Sequence, residues 1–150
     1  MSVSVSVNGS VREDILALMV RYGQCADRVP AAQGWRSCFV EDAVVRSFSP
    51  RRDRSPAVLT GCAAIERAFT ATGASDPTTH VTANVVVEFD GMRAALQSVF
   101  VRFDHVADAM VVVGSFGRYR DRVVLCPDGL WRFTEREIHL ISRRRPTPAT

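Results

Sequence analysis

Apolar residues recur at helical spacing near the start of the chain and at every second position from residue 77 onward. In NGSVREDILALMVRYGQCADRVP, Ile15, Met19, Tyr22 and Ala26 form one stripe at about 100° per residue, and Leu16, Val20, Gly23 and Asp27 form the adjoining one. Ser10 and Glu13 have the spacing of a capping box at its start, and Pro30 ends the pattern. Asp27 therefore falls inside the apolar arc at the C-terminal end of a helix, where the helix dipole disfavours a carboxylate. A second, short helix is expected in AAQGWRSCFVEDAVV, with Trp35 and Phe39 turned inward and a strand from near Ala43. Residues 50–56 read as a charged, proline-bounded loop, and TGCAAIERAFTATG as a third helix burying Ile65 and Phe69.

Beyond it the period is two. Strands are predicted over 79–89, 92–104, 109–124 and 130–142, with turns at Asp90-Gly91 and Pro127-Asp128-Gly129. In PTTHVTANVVVEFDG, nearly perfect alternation puts Val81, Ala83, Val85, Val87 and Phe89 on one face and His80, Thr82 and Asn84 on the other. A histidine and an amide on the second face of so apolar a strand call for a reason. Helices followed by long antiparallel strands imply an α+β domain in which helices cover one face of a curved sheet. Between 109 and 120, Met110, Val112 and Phe116 on one face oppose Val111, Val113 and Tyr119 on the other, so the sheet has two apolar faces. The helices supply one cover, and an isologous homodimer through the outer face of the sheet is the expected second one.

Composition narrows this little. At 150 residues, 47% hydrophobic and 23% charged, the chain fits one domain, expected over 10–142, with a flexible N-terminus at 1–9 and a polar tail at 143–150. The net charge of +3 is spread too thinly to suggest a nucleic-acid partner. No run approaches bilayer-spanning length and no basic leader precedes one, so a cytoplasmic protein with no membrane partner is expected. Cys25, Cys38, Cys62 and Cys126 show no zinc spacing, and neither a GxGxxG nor a P-loop pattern occurs. Hence neither a metal nor another cofactor is expected.

The segments YGQCAD, WRSCFVEDA, GCAAIERAF, TTHVTAN, GRYRD and DGLWRFTERE, in this order and spacing, resemble the SnoaL-like branch of the NTF2-like superfamily. That branch includes polyketide cyclases, scytalone dehydratase, steroid isomerases and a dehydrochlorinase. The resemblance covers residues 10–142 and implies a cone: a strongly bent, mostly antiparallel sheet wrapped around three helices, with a deep pocket inside. It places Asp27 at the helix carboxylate of dehydratase-like members, His80 at the strand histidine that pairs with it, and Tyr22 at a pocket tyrosine. Asn84 and Arg136 fall at pocket-facing positions, and Trp35, Phe39 and Tyr119 are taken with them as substrate-contacting. The second pocket histidine of scytalone dehydratase has no counterpart.

On that reading Asp27 reaches His80 from the helix beneath, and a carboxylate against an imidazole fixes its tautomer and strengthens it as a base. His80 would take a proton next to a carbonyl, with Tyr22 or Asn84 donating to the developing enolate oxygen. The expected activity is that of a cofactor-independent lyase or isomerase on a hydrophobic, oxygenated small molecule such as a polyketide or steroid-like ring. Two other readings stand beside it: an epoxide hydrolase or cyclase that uses Asp27, and a non-catalytic binding or assembly protein that uses the same cone as a container. Arg136 has the bland alternative of an ion pair with Glu135 or Glu137.

Overall fold

The computed structural model describes residues 9–30, 32–50, 55–71, 77–107 and 109–144. The N-terminus through residue 8, the charged centre of the 50–56 loop and the tail beyond residue 144 lie outside them. The elements run α1 (Gly9–Ala26), a 3₁₀ turn (Trp35–Ser37), β1 (Phe39–Phe48), β2 (Ala57–Thr60), α2 (Cys62–Ala71), β3 (Thr78–Asp90), β4 (Arg93–Val106), β5 (Met110–Leu125) and β6 (Trp131–Arg143). This is the α+β architecture expected, with two α-helices rather than three among the described residues. The second expected helix is only the single turn Trp35–Ser37, because Gly34 enters it at φ +83° and Phe39 already pairs with Phe133. Strand β1 thus starts at Phe39 and not near Ala43, and β2, unforeseen in the sequence, pairs with Val44–Ser47. Ser10 lies inside α1 instead of capping it, and Arg143, expected to open the tail, is the last residue of β6.

The six strands form one sheet in the order β2-β1-β6-β5-β4-β3, with β1 and β6 parallel and every other pair antiparallel. Register shifts interrupt four of its five ladders, and bulges of this kind bend and twist the strands around what they enclose. Inside lie Ile15, Leu18, Met19 and Tyr22 of α1, Ile65 of α2, and Leu96, Phe100, Tyr119, Val123 and Phe133 of the sheet. The buried stripe of α1 is rotated from the expected pair of stripes: Leu18 is fully buried, whereas Val20 is 59% exposed.

One irregularity answers the question raised by PTTHVTAN. In the β3–β4 ladder Ala83 faces Val99 but Val86 faces Gln97, so β3 carries an extra residue there, and Asn84 within it adopts φ +54°. Asparagine tolerates this left-handed conformation better than most residues. The bulge inverts the alternation. His80 and Thr82 before it, and Val85 after it, all line the groove against α1. Val87 and Phe89, further along, pack on the core. Asn84 itself is exposed, as are Val81 and Val86 on the outer side.

That outer side of β3 and β5 also presents Val111 and Val113, each 54% exposed. No element among the described residues packs on them. None of the described helices is long and apolar enough to cross a membrane.

Candidate active site

The last turn of α1 positions the first functional group. The amide of Asp27 still bonds to the Gly23 carbonyl at 2.8 Å, and Arg28 then leaves the helix at φ +56°. The Asp27 carboxylate is aimed across at the start of β3. It accepts from the backbone N–H of His80 at 3.0 and 2.9 Å, from the Thr78 hydroxyl at 3.1 Å, and meets His80 Nδ1 at 2.5 Å. These donors explain how a carboxylate persists at the unfavourable end of a helix dipole: neighbouring β3 satisfies it. With Nδ1 donating to the carboxylate, Nε2 is the ring's basic nitrogen, and it has no protein partner among the described residues.

Asp27 and His80 line a cavity of about 340 Å³. Its apolar wall is Tyr22, Ala26, Trp35, Phe69, Ile138 and Leu140. Its polar wall adds Thr78, Ser47 and Ser115, and three guanidinium groups, Arg28, Arg102 and Arg143, complete the lining together with Pro77. Arg102 is held by Asp104 at 2.8 Å, and Asp104 also takes Arg144 at 3.1 Å. Gly114 makes that cluster possible, since a Cβ there would run into the Asp104 carboxylate.

A second, wholly buried ionic pair stands behind Tyr22. Arg136 Nε lies 3.3 Å from Asp121 Oδ1, both side chains being 0% exposed. The guanidinium carbon sits 3.9 Å from the centroid of Tyr22, 3.5 Å from that of Tyr119 and 4.4 Å from that of Phe133, and Phe100 stacks on Tyr119 at 4.3 Å. The pair is an approach of charges without aligned hydrogen bonds: neither carboxylate oxygen and none of the guanidinium nitrogens has a hydrogen-bond partner. Burial pushes Asp121 up to about 7 against the pull of Arg136. Burial likewise raises Tyr22 and Tyr119, so both stay neutral phenols. Cys38, beneath them, is pushed up to about 12 by burial and is an inert thiol.

The structure brings together Asp27, His80, Tyr22 and Trp35 of the residues expected at the site. Tyr119 and Arg136 lie behind Tyr22, and the ion-pair partner of Arg136 is Asp121 rather than Glu135 or Glu137. Phe39 is 2% exposed in the core and packs on Trp35 and Phe133, away from the cavity. Asn84 is exposed in its bulge and not part of the lining, because the extra residue breaks the alternation that would have set it beside His80. Among residues the sequence reading left out, Thr78 had a signal in its period-two spacing from His80. Arg102, Ser115 and Arg143 had none without the strand register.

The sequence profile of the SnoaL-like domain matches residues 10–137. No curated protein matches the chain in sequence. Among solved structures, an NTF2-like protein with a cystatin-like fold from Novosphingobium aromaticivorans is 26% identical, with a TM-score of 0.70 over 87% of this chain and 82% of that one. ActVI-ORFA of Streptomyces coelicolor is 17% identical, with a TM-score of 0.72 over 88% of this chain and 98% of that one. A Novosphingobium aromaticivorans protein described as a "Putative Scytalone Dehydratase" is 23% identical, with a TM-score of 0.68 over 94% and 95%. With a profile match over most of its length, and a bent sheet closed around a cavity by α1 and α2, the chain belongs to the SnoaL-like domain family of the NTF2-like fold.

Proposed function

We propose that the protein is a cofactor-independent lyase or isomerase that removes a proton next to a carbonyl group of a hydrophobic, oxygenated small molecule. The observation that carries this reading is the contact of His80 Nδ1 with Asp27 at 2.5 Å, which leaves Nε2 for a molecule in the cavity. His80 is then the general base, and Asp27 holds its tautomer and stabilises the imidazolium that forms. Tyr22, a neutral phenol in the cavity wall, donates to the enolate oxygen, and Arg136 on its ring face stabilises charge accumulating there. The likeness to a protein described as a "Putative Scytalone Dehydratase" supports a lyase-like reaction.

Hydrogen–deuterium exchange at the carbon next to the carbonyl of 1-tetralone, followed by NMR in D₂O, tests the base directly. The wild type is expected to exceed the buffer rate. His80→Ala and Asp27→Asn are expected to lose about 10²–10⁴-fold while keeping the fold. Exchange undiminished in His80→Ala removes the dyad, and exchange abolished only by Asp27→Asn transfers the chemistry to the carboxylate, as in the hydrolase or cyclase reading. Binding without exchange in the wild type returns the protein to the container reading.

A homodimer belongs to the same proposal. The exposed valines of β3 and β5 form an apolar face that a second copy would cover, and light scattering at the mass of two chains is the expected result.

A further inference from the structure

The strand register aligns four inward-facing residues in one row across the sheet. His80 on β3 pairs with Arg102 on β4, Arg102 with Ser115 on β5, and Ser115 with Arg143 on β6. All four line the cavity. Neighbouring strands lie about 4.8 Å apart, so the base stands at one end of a row whose other members are two guanidiniums and a hydroxyl. The next residue inward on β6, Leu140, begins the apolar part of the cavity lining.

The charges on this row are unbalanced. Among the described residues Asp27 is the one carboxylate in the lining, and it is occupied by His80 and Thr78. Asp104 neutralises Arg102 but is shared with Arg144, and among the described residues the Arg28 guanidinium bonds only to the Thr70 carbonyl. Arg143 has no side-chain partner among the described residues. A planar cation with five donors, left unpaired among the described residues beside an apolar cavity wall, matches a carboxylate in shape and charge.

We infer that the substrate is an organic acid: its ring system lies on Leu140, Ile138 and Phe69, and its carboxylate on the Arg102–Ser115–Arg143 row. The inference rests on the cavity being the substrate site and names the substrate's class. An acid held on this row would present its ring carbons to His80 at the row's end, so the same contacts that bind it also orient it.

The probes are 1-naphthoate and its neutral isostere 1-naphthamide, titrated into the full chain, with affinities and binding site read from backbone amide shifts of Ser115, Leu140 and His80. The wild type is expected to prefer naphthoate by about tenfold, Arg143→Gln to lose that preference with naphthamide binding unchanged, and Arg143→Lys to restore part of it. Equal affinities for the two probes in the wild type overturn the inference, as does an undiminished naphthoate preference in Arg143→Gln. Shifts confined to the outer valines of β3 and β5 overturn it too, by placing the probe outside the cavity. No turnover enters the measurement. A His80→Ala chain that still prefers naphthoate upholds the acid subsite even where the proton-transfer reading has failed.

Discussion

Asp27 and Asp121 are both carboxylates drawn away from water to face a nitrogen cation or base, and the fold treats them in opposite ways. Asp27, 14% exposed in its side chain, is met by a backbone amide, a hydroxyl and an imidazole, all from the first residues of β3. Asp121, 0% exposed, faces one guanidinium without a single aligned hydrogen bond, and that guanidinium is held chiefly by aromatic faces. The first arrangement fixes direction: it sets which ring nitrogen carries the proton and where the other one stands. The second fixes only proximity. A directional network suits proton transfer, whereas a charge packed among rings suits a wall that keeps its shape.

Exchanging the readouts breaks this comparison most sharply. His80→Ala should abolish tetralone exchange while leaving urea-unfolding stability within about 1 kcal/mol of wild type, since Asp27 keeps the Thr78 hydroxyl and the backbone N–H of residue 80 as donors. Arg136→Met should cost about 2–4 kcal/mol, from the lost cation–π contacts and the stranded Asp121 carboxyl. If the stability loss follows His80 instead, the roles are reversed.

A pH series sharpens it next. Asp121 titrates at about 7 in the folded chain and near 3.9 when unfolded, so the folded state binds its proton more tightly. Its contribution is full below about pH 4 and is lost as the pH rises through 7. Urea unfolding at pH 5 and pH 8 should therefore show Asp121→Asn gaining on wild type at the higher pH. A difference that stays constant between the two values would mean that Asp121 is ionised throughout. The smallest effect is expected from Thr78→Val, which removes one donor from Asp27: about 1 kcal/mol in stability and a few-fold in exchange.

Much of the proposed site could be found in the chain itself because it violates local rules. Asp27 interrupts an apolar helical face and His80 an apolar strand, and each anomaly is explained by the other. Asn84 misled for the same reason that His80 did not: period-two reasoning holds only while the strand is regular, and one inserted residue reverses it. Thr78 follows from its spacing, but Arg102, Ser115 and Arg143 become neighbours only through pairings between residues far apart in the chain. Asp121 and Arg136 lie 15 residues apart on adjoining strands, and their match depends on a ladder shifted by one residue between Arg122 and Val123. The helix expected around Trp35 failed for a local reason, a glycine at φ +83° ahead of a residue already claimed by the sheet.

The extra residue in β3 works like a frameshift in a two-letter code. Upstream of Asn84 the even-numbered positions are read inward, and downstream the odd-numbered ones are. Removing a residue there would leave every functional side chain in the sequence while turning either His80 or the valines after it to the outside. The proposed site on this wall is thus written in the length of the strand as much as in its residues, and an insertion or deletion would erase it more completely than most substitutions.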